Sequence, residues 1–341
     1  MRYFVISIDA EADCGADWAG AVPESYSNLH CLQERLRPIL EPYDAPATLL
    51  LNGDIIMRDG PSAECERIAG ESGWELGTHL HGEFMAPEMT HSGPAGMRLK
   101  DFQCGYGYDL EFRKMQTLTE LFRDRFGYFP ASFRAGRFGA GPDTFRICLE
   151  LGYEVDSSVV PGYQLRQEKK GDCPIADFRS FDFRPSIVAG NADRSLLEIP
   201  VMVRPGVFQP ISESAGARWL QANEAVPLAL RKFVARSSYV IDRAIKPLHR
   251  STWFRPSYST AAEMSGVLRW LSKQGEGAPV VANMMFHSNE LLPGGSPYNA
   301  TEGDVSCFLE KISSSLVTAR SLGYTFVTLA GAARAIKADL Q

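Results

Sequence analysis

Short apolar runs alternating with helix-period segments are the feature that most limits what this chain can fold into. Runs at 3–9, 47–52, 74–79, 131–136, 153–158, 196–200, 279–287 and 324–329 read as strands, rich in β-branched, aromatic and other apolar residues. Segments with helical spacing lie between many of them. Leu29, Leu32, Leu36 and Ile39 share one face of 28–40. Leu110, Met115, Leu118, Leu121 and Phe122 share one face of 109–127, and Gly127 supplies the stop. Repetition of this kind builds a parallel sheet covered by helices, and so many units in one chain favour a barrel over a small open sheet. In parallel α/β folds, function sits beyond the carboxyl ends of the strands. Asp9, His79, Arg134, Asp156 and His287 all stand at or beside such ends. That placement is the main functional clue.

Region 160–275 breaks the rhythm. Its 177–200 stretch reads as paired short strands around a Gly-Asn turn, followed by a basic helical stretch from Ala225 to Lys246. No flexible linker brackets it, so the expected organisation is one domain over 1–341 with an elaboration at 160–275.

Composition narrows the function. A net charge of −6 argues against a nucleic-acid partner. No apolar run approaches the roughly 18 residues of a membrane span. The start, MRYFVISIDAEAD, has no basic, apolar and small-residue pattern of a secretory signal. Seven scattered cysteines without a C-x-x-C suggest neither a disulfide framework nor a cysteine zinc site, and fit a reducing cytoplasm. There is no G-x-S-x-G nucleophile elbow and no phosphate-binding P-loop.

Four clusters could carry chemistry. In SIDAEAD, residues two apart on an extended chain point the same way, so Asp9, Glu11 and Asp13 could converge at a strand mouth. Carboxylates crowded together call for a cation. In ELGTHLHGE, His79 and His81 repeat that spacing, with Glu83 as a further ligand or an acceptor behind them. Two imidazoles, a carboxylate and a water make an open zinc site. FRAGRFG offers Arg134 and Arg137, able to hold a carboxylate ionised through paired hydrogen bonds. In MMFHSNE, His287 ends a buried run before Ser288, Asn289 and Glu290, where a histidine suits proton transfer near neutral pH.

Together these pieces resemble the polysaccharide deacetylases, the NodB-homology or carbohydrate esterase 4-like family. SIDAEAD resembles its first motif, GTHLHGE its metal-binding histidine motif, SFRAGRFG its arginine motif and MMFHSNE its late histidine motif. YEVDSSV, EIPV and LPGGSPY are similar to the exopolysaccharide and cell-surface-glycan branch. The matches run in the family's order. Two departures stand out: the usual adjacent aspartates are here Asp9 and Glu11 with a spacer, and the usual four-residue histidine spacing is here two.

The resemblance implies a distorted (β/α) barrel of about seven parallel strands and removal of an acetyl group from an N-acetylated sugar or glycan. It implies one divalent ion, zinc the first choice, held by Glu11, His79 and His81, with Asp13 or Glu83 as competitors to Glu11. Asp9 would be the base, Arg134 its brace and His287 the acid. Arg137, Asp156 and Asn289 would contact substrate, with Asp156 or Asn289 orienting His287 or the sugar. Two rivals remain: another metal-dependent C–N hydrolase acting on a small amide or amino sugar, and a barrel that binds glycan without catalysis. Segment 227–256, with seven Lys and Arg against Asp242, adds the expectation of contact with anionic membrane or a lipid-linked glycan at the cytoplasmic face.

Overall fold

A computed structural model describes residues 1–14, 25–89, 102–165, 176–190, 194–206, 227, 229–230, 232–234, 237, 251–275 and 277–339. The strands are β1 (Arg2–Ala10), β2 (Thr48–Asn52), β3 (Glu75–Leu80), β4 (Ser132–Ala135), β5 (Val155–Asp156), β6 (Gln164–Leu165) and β7 (Ala176–Asp177). They continue with β8 (Ser186–Gly190), β9 (Ser195–Glu198), β10 (Val203–Arg204), β11 (Thr252–Trp253), β12 (Val280–His287) and β13 (Thr325–Phe326). The main sheet runs β12-β1-β2-β3-β4-β5-β9-β8, with β13 beside the start of β1. Every pairing in it is parallel except β8 on β9. The result is a curled, parallel-dominated half-barrel, the distorted (β/α) barrel expected from the sequence.

The period of two explains its interior. Tyr3, Val5, Ser7 and Asp9 of β1 point inward, as do Leu50 of β2 and Val281 of β12. The helix Leu329–Asp339 closes the amino end of this core with Leu329, Ala332, Ala333 and Ile336. At Gly77 a Cβ would lie 2.7 Å from the Ser132 carbonyl oxygen and 2.8 Å from Leu50, so only glycine lets β2, β3 and β4 close here.

Several elements differ from the sequence reading. The 28–40 helix contains a π-turn at Leu32–Leu36. Pro38 lacks the N–H that the next turn needs, and the wider turn accommodates it. The last strand is only Thr325–Phe326, because a helix begins at Leu329. The helix Ala261–Ser272 lies within the stretch read as irregular, although a Thr260–Glu263 capping box announces it.

The chain divides into two compact units, Met1–Met202 with Phe254–Gln341, and Val203–Trp253. In the second, β10 and β11 pair antiparallel. Most of segment 227–256, including Arg231, Arg236, Arg243, Lys246 and Arg250, lies outside the described residues, and with it the proposed lipid-facing helix. Among the described residues, no helix is long and apolar enough to cross a membrane.

The helix Tyr108–Phe126 buries Glu111, Lys114 and Thr119 beside Met115, Leu118 and Phe122. Leu110 and Leu121, expected on the buried face, are half-buried. Glu111 accepts hydrogen bonds from Gln103 (2.9 Å) and Thr144. Burial nevertheless pushes its carboxyl up to about 7. A carboxyl whose folded pKa exceeds its unfolded value contributes stability below the unfolded pKa and loses it as pH rises through the folded one. Glu111→Gln removes that dependence. Urea unfolding should therefore show wild type losing up to about 3 kcal/mol relative to the variant between pH 4.5 and 7.5. Parallel pH–stability curves would contradict this.

Candidate active site

Register aligns the strand-end side chains. Asp9 pairs with His287, Asn52 with His79, His79 with Arg134, and Asp156 with Glu198. Glu11 and His81 lie one residue beyond β1 and β3, where the backbone at His81 is still extended, so they project to the same side as Asp9 and His79.

Glu11, His79 and His81 converge. Glu11 Oε1 lies 3.2 Å from His79 Nε2 and 2.9 Å from His81 Nε2, and the two nitrogens are 3.1 Å apart. Ligand atoms about 2.0–2.2 Å from a common ion are separated by about 2.9–3.5 Å for octahedral to tetrahedral angles. The triangle therefore fits one divalent ion. His79 Nδ1 donates to the Arg134 carbonyl at 3.0 Å, which leaves the Nε2 lone pair facing the triangle. Burial pushes the His81 imidazole down, but Glu11 outweighs it and lifts the imidazole to about 9. The site draws positive charge to this point, and a cation would replace that proton. Glu83 lies 3.5 Å from His81 Nδ1 and is gripped by both terminal nitrogens of Arg137, one at 3.1 Å.

Asp13 does not join them. The alternation does not carry past Glu11, and Asp13 accepts from Ser25 Oγ (2.6 Å) and the backbone N–H groups of Ser27 (2.8 Å) and Asn28 (3.0 Å). It ties the loop to the helix that starts at Asn28.

Asp9 is held from one side and open on the other. Fully buried Arg134 donates to Asp9 Oδ1 at 2.6 Å, to Ser7 Oγ at 2.7 Å and to the Ser157 carbonyl at 2.7 Å. Burial pushes the Asp9 carboxyl up; Arg134, His79 and His287 outweigh it and keep the group below its ordinary range. Its Oδ2 lies 3.8 Å from Nε2 of His79 and 3.8 Å from Nε2 of His287.

The sequence reading missed the partner of His287. Glu290 Oε1 accepts from the His287 backbone N–H (2.9 Å), lies 3.0 Å from Nδ1 and accepts from Arg255 at 2.6 Å. Burial pushes the Glu290 carboxyl up, but Arg255 and His287 bring it down to about 2. The three-residue spacing H-S-N-E was the available signal, since it matches a capping-box arrangement. Asp156 does not orient His287. It accepts from the Ser158 backbone N–H (3.0 Å) and hydroxyl (2.7 Å), and lies beside Glu198. Burial lifts both carboxyls, and Glu198, with the Asp156 charge next to it, goes well above the usual range. Asn289 is fully buried, and its side-chain amide has no hydrogen-bond partner among the described residues. Arg137 is turned toward Glu83.

A carboxylate bound to His287 Nδ1 leaves Nε2 toward Asp9. Glu290→Gln keeps the volume but removes the negative charge beside Nδ1 that an imidazolium giving a proton from Nε2 needs. Turnover should fall about 10²-fold with metal content unchanged, and an unaltered turnover would show that Glu290 does not act through His287.

Fold and site define a (β/α) half-barrel with a His–His–carboxylate centre and an aspartate–histidine pair at its carboxyl mouth. No protein-family model matches the chain. No curated protein matches it either. Among solved structures it is similar to a protein from Parabacteroides distasonis assigned as a glycoside hydrolase/deacetylase. The identity is 11%, the TM-score 0.54, and the match covers 98% of this chain and 71% of that one. It is similar to a protein from Mycobacterium smegmatis assigned as a polysaccharide deacetylase, at 16% identity and TM-score 0.49, over 99% of this chain and 91% of that one. The chitin deacetylase from the fungal pathogen Colletotrichum lindemuthianum is a further neighbour, at 10% identity and TM-score 0.39, over 96% and 84%. The barrel fold is shared with the Parabacteroides distasonis protein.

Proposed function

We propose that this protein is a metal-dependent hydrolase that removes the acetyl group from an N-acetylated sugar or glycan. The observation that carries the reading is the Glu11–His79–His81 triangle beside Asp9, whose open oxygen lies 3.8 Å from both His79 and His287. The shared barrel with a glycoside hydrolase/deacetylase supports it.

A divalent ion on Glu11, His79 and His81, zinc the first choice, would polarise an amide carbonyl and acidify a water. Asp9, kept anionic and oriented by Arg134, takes the proton of the attacking water at Oδ2. His287, fixed through Nδ1 by Glu290, gives a proton from Nε2 to the departing sugar amine, which is a poor leaving group without it. Glu83 and Arg137 keep the His81 ring in place behind the ligand triangle. A cytoplasmic position near the inner face of a membrane rests on the cysteine content and the basic segment alone.

The test is acetate release by metal-stripped and zinc-reloaded protein from N-acetylhexosamines, their oligomers, O-acetylated glycans and small amides. Metal-dependent release from an N-acetylated member is expected. Turnover of small amides alone would assign a different C–N hydrolase, and turnover of none would leave a binding barrel.

A further inference from the structure

Lys114 has no role in the chemistry above, yet it is among the most deeply buried large side chains of the molecule, 1% exposed. Its ammonium lies within hydrogen-bond distance of four backbone carbonyl oxygens of a single loop, which share its three N–H groups: Gly82 (2.8 Å), Met85 (2.8 Å), Pro87 (2.5 Å) and Glu88 (3.2 Å). The Tyr106 ring lies 5.4 Å from the same nitrogen. Packing leaves no slack at the start of this loop, since a Cβ on Gly82 would lie 2.3 Å from the Tyr106 hydroxyl. Its far end holds Glu88 in the left-handed region at φ 59, a position that persists only where surrounding contacts impose it.

The loop is the direct continuation of a ligand strand. His81 precedes it, and Glu83 within it lies 3.5 Å from His81 Nδ1. Four carbonyl oxygens turned on one point repel one another unless a cation sits among them. We infer that Lys114 is a positioning residue: a built-in cation whose ammonium fills a carbonyl cage in the 82–88 loop and so holds Glu83 against His81. This rests on the reading of Glu11, His79 and His81 as a metal centre. A carboxylate behind a ligating histidine fixes the ring and raises its basicity, and losing such a partner costs about 10–100-fold in metal affinity. Emptied of its lysine, the cage has the donors of a monovalent-cation site, with ammonium or potassium the matching occupants.

The experiment compares full-length Lys114→Ala, Lys114→Met and Glu83→Gln with wild type. Zinc affinity is measured by competition with a chromophoric chelator, and thermal midpoints are recorded in ammonium, potassium and tetramethylammonium chloride at equal ionic strength. Lys114→Ala should bind zinc about 10–100-fold more weakly and recover in ammonium or potassium but not in tetramethylammonium. Its thermal midpoint should show the same ion preference, a readout that survives even if the variant is too unstable to hold zinc. Lys114→Met, whose side chain fills the space, should lose affinity without recovery. Glu83→Gln should lose affinity with no dependence on the salt. Wild-type zinc affinity in both Lys114 variants, or a loss in Lys114→Ala indifferent to the cation, would overturn the inference. Wild-type affinity in Glu83→Gln would overturn the route through Glu83. A wild-type protein that binds no zinc refutes the metal centre, whereas the ion preference of the Lys114→Ala midpoint tests the cage independently.

Discussion

Asp9→Asn will bind one metal ion as wild type does and release acetate about 10²-fold more slowly or worse. The substitution is close to isosteric. The asparagine carbonyl can still accept from Arg134, which turns its N–H₂ toward the Nε2 atoms of His79 and His287 in place of the open carboxylate oxygen. An amide has no basicity with which to take a proton from water. It also leaves fully buried Arg134 without its carboxylate, so some loss of stability will accompany the loss of rate. Metal content and an unfolding curve separate these effects. A folded, metal-loaded Asp9→Asn protein with near-normal turnover would remove Asp9 as the base.

The second large effect falls on the metal itself. His79→Ala combined with His81→Ala removes two of the three converging donors and leaves Glu11 alone. Structural zinc sites bind with about 10–16 kcal/mol shared over four ligands, so losing two costs on the order of 10⁴-fold or more in affinity. Elemental analysis of the double variant should find no stoichiometric metal. Asp13→Asn is the matched control, since Asp13 serves the Ser25–Asn28 turn and should not alter metal content. Undiminished metal in the double variant, or loss in the control, would place the ion elsewhere.

The strands were legible because strands buried on both faces write continuous apolar runs, and β1 and β12 are buried along almost their whole length. Asp9, His79, Arg134 and His287 were legible because they interrupt or end such runs at matching heights. The period of two extends as far as Glu11 and His81, the first inward positions past their strands. It fails at Asp13, where the chain turns. Arg255 was out of reach, since its partner Glu290 lies 35 residues away and only the fold brings them together. Asp156 looked like a site residue by position. Its neighbour Glu198 on β9, set beside it by register, absorbs it instead into a buried carboxyl pair. Lys114 and Glu111 lie on the buried face of an otherwise amphipathic helix, and local periodicity does not reveal which polar side chains the fold will satisfy inside.

Stoichiometric zinc titration of metal-stripped protein, with acetate release from an N-acetylhexosamine oligomer as the readout, tests the central claim most directly. Release should be absent without metal, rise in proportion to added zinc and level off at one equivalent per chain. Release that is undiminished in the stripped protein, or absent at every zinc level from every N-acetylated sugar offered, would contradict a metal-dependent deacetylase.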